Sequence, residues 1–70
     1  MNNNDHLIQE LAIEAISISG SKSEEIERFC WMTVHKYLHG AYPVEYDVRE
    51  IDEALYISIL NSAKEFLQNQ

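Results

Sequence analysis

Two histidines on the second predicted helix have a spacing that could bind a metal ion. His35 and His39 are four residues apart, which places both imidazoles on one helical face, where they could share a zinc ion. A zinc site needs a third protein ligand and usually a fourth. Cys30 projects roughly 140° away from His35 around a helix, and no other ligand completes the set. The sequence therefore predicts exposed histidines and neither a metal site nor a cofactor.

Nucleophilic and acid–base catalysis are not predicted either. Cys30 is the single cysteine, and its helical neighbours Ile26 and Val34 are apolar, whereas a reactive thiolate needs a base and a positive environment. The paired carboxylates lie on helices of a chain too short to enclose them and shift their pKa. Gly20 and Gly40 are the only glycines, and each stands at a predicted helix end, so no phosphate-binding loop is present. We expect no enzymatic activity.

Acidic residues are concentrated before and at the start of the third predicted helix. Twelve acids against five bases give a net charge of −7, which disfavours direct binding to nucleic acid. Arg49 is the only base within the acidic segment, which contains Glu45, Asp47, Glu50, Asp52 and Glu53. Two interpretations stay open. The acids could stabilise a solvated helix start through the helix dipole, or they could dock a basic protein partner by long-range attraction.

Three aromatic residues add to this candidate partner-binding surface. Trp31 falls off the centre of the core face of its helix, and large exposed aromatic side chains are enriched at binding hot spots. Alternatively, Trp31 covers the edge of a small core. Tyr42 and Tyr46 flank Pro43 next to the acidic segment. They could form the aromatic part of a docking site, or they could clamp the connector onto the bundle.

Helical periodicity and two glycines divide the chain into three helices. Gly20 and Gly40 are suited to the left-handed conformation that ends many helices. Ser21 with Glu24, and Asp47 with Glu50, have the spacing of capping boxes. The sequence predicts a small all-α three-helix bundle, with helices over roughly 5–18, 22–39 and 48–67. It forms a single domain over 1–70, with frayed ends at 1–4 and 68–70.

The third predicted helix carries an apolar surface too wide for one partner helix. One stripe contains Val48, Ile51, Leu55, Ile59 and Phe66. A second contains Tyr56, Leu60, Ala63 and Leu67. Because a surface helix normally shows an apolar arc of ~100°, this helix must pack against two neighbours. Below roughly 70–80 residues a single core is marginal, so we predict a homodimer in which the second stripe forms the interface. The rival explanation is that the first and second helices cover one stripe each.

The polar start of the chain predicts no signal peptide. A single cysteine is typical of a reducing compartment, and no apolar run approaches the ~20 residues of a membrane span. We therefore expect a cytoplasmic protein without membrane contact.

These observations predict a small non-catalytic interaction protein, a regulator or inhibitor that binds a basic surface of a nuclease, a transcription factor or a subunit of a transcription complex. The alternative is a DNA mimic that occupies a nucleic-acid-binding groove. Direct DNA binding by a helix-turn-helix variant is disfavoured by the scarcity of bases. In size, acidity and helix outline the chain is similar in a general way to small bacterial biofilm connector proteins and phage anti-sigma factors. This resemblance implies a bacterial or phage origin, and no site residue is taken from it.

Overall fold

The computed structural model describes residues 3–20, 23–44 and 51–69, and these residues form three α-helices and no strand. Helix α1 spans Asn3–Ser19, α2 spans Ile26–His39 and α3 spans Glu53–Gln68. A short 3₁₀ turn, Ser23–Glu25, precedes α2. The predicted all-α three-helix architecture is confirmed. None of the helices among the described residues is long and apolar enough to cross a membrane.

The ends of α1 and α2 follow from the two glycines, as predicted. Gly40 has a φ of 82° and donates its backbone N–H to the carbonyl of Lys36 at 2.7 Å. Gly20 has a φ of 68° after the last residue of α1. A residue with a Cβ is strained in this left-handed region, so glycine marks both helix ends.

The start of α3 lies five residues later than the predicted start at 48. Asp52 has extended backbone angles (φ −81°, ψ 107°), and one of its carboxylate oxygens accepts a 3.2 Å hydrogen bond from the backbone N–H of Leu55. Asp52 is therefore the N-cap, because it satisfies a donor that the first helical turn leaves free. The capping box predicted from Asp47 and Glu50 lies outside the described residues, as does Ser21.

The core lies where the three helices meet, and α3 packs against both α1 and α2. The prediction that this helix contacts two neighbours is confirmed. Small side chains allow the close approach, and branched ones fill the space between the helices. The buried cluster consists of Leu11, Ala12, Ala15, Ile26, Cys30, Val34, Ile59 and Ala63.

The helices run up, down and up, so the start of α1, the end of α2 and the start of α3 share one end of the bundle. Leu7, Leu38 and Leu55 meet around a single recess there. At the opposite end, Nζ of Lys64 on α3 lies 4.0 Å from Oε1 of Glu27 on α2. Asp52 and Glu53, the described members of the acidic segment, therefore lie at the first of these ends.

Candidate partner-binding surface

Asp52 and Glu53 are the two members of the acidic segment that lie within the described residues, and both are exposed. Asp52 also caps α3, so its carboxylate has a structural role alongside any role in binding. Glu53 lies in the first turn of α3, where the helix dipole favours a negative charge. Glu45, Asp47, Glu50 and Tyr46 lie outside the described residues, and their predicted role stays a prediction.

An open recess, which we call the end recess, lies beside Asp52. It has a volume of about 350 Å³. Apolar side chains from all three helices contribute most of its walls. Its described lining residues are Leu7, Ile8, Tyr37, Leu38, Asp52, Ala54, Leu55 and Ser58.

The two large apolar residues contributed by α2 are substantially exposed to solvent. Tyr37 is 51% exposed and Leu38 is 44% exposed. Leu7, Ile8 and Leu55 are half-buried and pack against the core from the other side. α2 therefore presents two large, mainly apolar side chains to solvent at this end of the bundle.

One described lining residue of the end recess is charged, and that charge is negative. Asp52 lines the recess, and Asp5 is exposed one helical turn before Ile8. The described lining residues include no Lys or Arg. The described lining therefore combines apolar side chains with one carboxylate, an arrangement that favours a cationic, partly apolar partner.

Tyr42, which follows the end of α2, is held against the bundle by contacts with two helices. Its hydroxyl donates a 2.8 Å hydrogen bond to Oε2 of Glu14, and Lys36 Nζ lies 3.4 Å from the same oxygen. Lys36 Nζ also lies 4.9 Å from the centre of the Tyr42 ring, within the range of a cation–π contact. These contacts fit the clamping alternative for Tyr42 better than a role in binding a partner.

The same contacts shift two pKa values. The charge of Glu14 is the largest cause that raises the pKa of Lys36 above its usual range. Desolvation, followed by the hydrogen bond to Glu14, raises the pKa of Tyr42. Both shifts favour the protonated Lys36 and the neutral phenol, the forms that make the observed contacts.

Trp31 is fully buried, with an exposed fraction of 0%. Its ring centroid lies 5.7 Å from that of His35. A side chain without accessible surface cannot contact a partner in this conformation, so the prediction that Trp31 binds a partner is wrong. Its burial fits the alternative in which Trp31 covers the edge of the small core.

The predicted dimer stripe is used within the chain. Ala63 is 0% exposed and belongs to the core cluster, so its assignment to a dimer interface is wrong. Tyr56, Leu60 and Leu67 are half-buried and pack against the same core. This is the arrangement expected from the rival explanation, in which α1 and α2 cover one stripe each. The homodimer, with Tyr56, Leu60 and Leu67 at its interface, stays a prediction, but Ala63 offers no surface to a second copy.

His35, His39 and Cys30, which were considered for metal binding or catalysis, make contacts within the fold instead. His35 is half-buried rather than exposed, and its Nδ1 lies 2.9 Å from the carbonyl oxygen of Ala41. His39 stacks near it, with ring centroids 4.5 Å apart. Cys30 is fully buried, and desolvation raises its pKa to about 12. No group of three or more His, Cys, Asp or Glu side chains in the described parts of the chain could hold a metal ion.

Sequence reasoning missed the apolar side of the candidate surface. One signal was present in the sequence: Tyr37 and Leu38 are adjacent apolar residues in the last turn of a helix that ends at Gly40. Residues at the end of a helix extend beyond the packed middle of a short bundle, so they are candidates for a surface patch.

Comparison with known proteins assigns a family to the chain but no activity. Residues 6–67 match the model of the family described as "Domain of unknown function (DUF8662)", and because this match covers most of the chain, the protein belongs to that family. The comparison with curated proteins gave no significant match. Likewise, no solved structure matches the chain significantly.

Proposed function

We propose that this protein is a small non-catalytic regulator or inhibitor that binds a basic surface of a protein partner, such as a nuclease, a transcription factor or a subunit of a transcription complex. One observation carries the proposal: the exposed carboxylates of Asp52 and Glu53 stand at the same end of the bundle as the largely apolar end recess. Charge and apolar contact area are the two properties that a docking surface combines.

The acidic segment would act mainly on the rate of association. The chain carries −7, and an uncompensated field of one sign attracts an oppositely charged protein and speeds encounter. Such steering weakens as salt screens the charges over about 10 Å at 0.1 M ionic strength. The biological effect would be masking of the basic surface or bridging of two partners.

The buried thiol supports the non-catalytic part of the proposal. Cys30 has no accessible surface, and burial raises its pKa to about 12. Its thiol therefore stays protonated near neutral pH, whereas covalent catalysis requires the thiolate.

A DNA mimic is the second candidate, favoured by the spread of exposed carboxylates outside the acidic segment. Exposed acids occur on every helix and on the 3₁₀ turn. Within the described residues they are Asp5, Glu10, Glu24, Glu25, Glu27, Asp52, Glu53 and Glu65. A partner with a DNA-binding groove would contact a broad set of these acids, whereas local docking would use the acidic segment alone.

The test uses two triple variants with the same change in charge. Glu45→Gln/Glu50→Gln/Glu53→Gln neutralises part of the acidic segment and leaves the cap Asp52 in place. Glu24→Gln/Glu25→Gln/Glu27→Gln is the control at the opposite end of the bundle. The immobilised chain captures a partner from lysate of the native host, the partner is purified, and its association rate is measured at several salt concentrations.

Local docking predicts slower association and weaker salt dependence for the first variant only. A DNA mimic predicts comparable losses for both variants and displacement of the chain by duplex DNA. If neither variant changes association with the purified partner, the acids serve capping and solubility alone and the proposal is wrong.

A further inference from the structure

From the end recess we infer that the partner segment is a short amphipathic helix whose apolar side chains enter the recess and whose flanking residues are Lys or Arg. This inference rests on the proposed function and specifies the partner's chemistry. The recess brings together apolar side chains of all three helices at one end of the bundle, and those from α2 are about half exposed.

The size and lining of the end recess suit apolar anchor residues. Its volume of about 350 Å³ lies at the lower end of the ~300–1,000 Å³ typical of binding pockets. Tyr37 and Leu38 keep about half of their surface in water, and covering them would release that surface from solvent. Binding energy at interfaces concentrates in such pockets, which take a few large side chains of the partner.

Charge complementarity selects a cationic partner. Asp52 lines the end recess, Asp5 lies one helical turn from Ile8, and the described lining includes no base. A segment with Lys or Arg beside its apolar residues would place cations against these carboxylates, whereas an acidic segment would be repelled.

The architecture of the recess favours a helix over an extended peptide. An extended peptide gains affinity by pairing its backbone with an exposed strand edge. The described residues around the recess are helical or cap a helix, so they offer no such edge. A helix satisfies its own backbone groups and presents apolar residues at i, i+3, i+4 and i+7.

The experiment uses two synthetic peptides with the same composition. The amphipathic probe has about 18 residues, long enough to be partly helical, with Leu at i, i+3, i+4 and i+7 spacing and Lys elsewhere. The control peptide has the same Leu and Lys content, with its Leu residues distributed around the helix. Fluorescence anisotropy measures binding to the full chain, and amide chemical shifts locate the site.

Two single variants are matched in the exposure of the replaced side chain. Leu38→Ser removes an apolar wall of the end recess. Ile13→Ser removes an apolar residue of similar exposure, 54% against 44%, from α1 outside the recess lining. Because both side chains are largely exposed, neither change should unfold the domain.

We expect the amphipathic probe to bind more tightly than the control peptide. Leu38→Ser should weaken binding about tenfold, as for an interface anchor, while Ile13→Ser should change it less than about twofold. The largest changes in amide chemical shift on peptide binding should occur at Leu7, Leu38 and Leu55.

Equal binding of both peptides, unaffected by Leu38→Ser, would overturn the recess inference and leave the acidic docking function standing. Absence of binding by either peptide at low salt would overturn the recess inference, whereas the proposed function is decided by the two triple variants. Concentration-dependent self-association that Leu38→Ser abolishes would identify a second copy of the chain as the occupant, and the inference would again be wrong.

Discussion

The hydroxyl of Tyr42 donates a 2.8 Å hydrogen bond to Oε2 of Glu14, a residue 28 positions earlier in the chain. Nζ of Lys36 lies 3.4 Å from the same carboxylate oxygen. These contacts join α1, α2 and the connector that follows Gly40. Tyr42, three residues before the acidic segment begins at Glu45, is therefore held against the bundle.

Replacing Tyr42 with Phe should lower the free energy of unfolding by about 0.5–1 kcal/mol, since the lost hydrogen bond is partly solvent-exposed. Urea denaturation at neutral pH measures the change. Tyr37→Phe is the matched control, because Tyr37 is also exposed and lines the end recess. Equal stability of the two variants would show that the hydrogen bond to Glu14 contributes nothing.

The difference in stability between the wild type and Tyr42→Phe is expected to depend on pH. The folded state raises the pKa of Tyr42 above its ordinary value of 10.0, so its contribution is fully present below pH 10 and is lost as the pH rises through the raised value. The stability difference between wild type and Tyr42→Phe should therefore shrink above pH 10. A difference that grows with pH would contradict the assignment.

Gly40→Ala should destabilise the domain by about 1–2 kcal/mol, because its φ of 82° is strained for a residue with a Cβ. Open space surrounds the position, so the cost would arise from the backbone rather than from a steric clash. Gly40→Asn is the control and should lose less, since Asn tolerates this conformation. Thermal unfolding followed by circular dichroism measures both, and equal losses would argue against the conformational explanation.

Asp52→Ala should lower the free energy of unfolding by about 1 kcal/mol, because it removes the acceptor for the backbone N–H of Leu55. Asp52→Ser keeps a capping oxygen and removes the charge, so most of the stability should return. Chemical denaturation separates the two effects. If Ser and Ala are equally destabilising, the carboxylate acts through its charge and not as a cap.

Ala63→Leu should destabilise the fold by about 1–3 kcal/mol, because Ala63 is fully buried in the core cluster, where a larger side chain would overpack its neighbours. Asn61→Leu, at a neighbouring exposed position, is the control and should change stability little. Denaturation at two protein concentrations completes the test. A loss that depends on protein concentration would return Ala63 to a dimer interface.

The helical architecture could be predicted from the sequence because its signals are local. Gly20 and Gly40 end helices through a backbone preference that depends on no distant residue. The start of α3 was misplaced because Asp47 and Asp52 are both acceptable N-caps, and capping differences of about 1 kcal/mol do not decide between them. The structure selects Asp52 for the described helix.

The candidate site was only half predictable. The charge of Asp52 and Glu53 is visible in the sequence, whereas the end recess depends on where three helices stop relative to one another. A helical wheel gives the direction of Trp31 around α2 but not which segments cover it, so its complete burial could not be derived. Ala63 is a second example: the helical wheel gives the direction of its side chain around α3 but not which helices pack over it.

Because the thiol of Cys30 is buried, its chemical modification measures how often the folded chain opens. Alkylating reagents need both contact with the sulfur and its thiolate form, and the folded protein denies both. The labelling rate of the native protein therefore measures the fraction of molecules that open. An opening free energy of about 5 kcal/mol would slow labelling by nearly four powers of ten relative to the unfolded chain. Because Cys30 is the single cysteine, one modification per molecule records the event, and a partner bound to the folded state would slow the reaction in proportion to its occupancy.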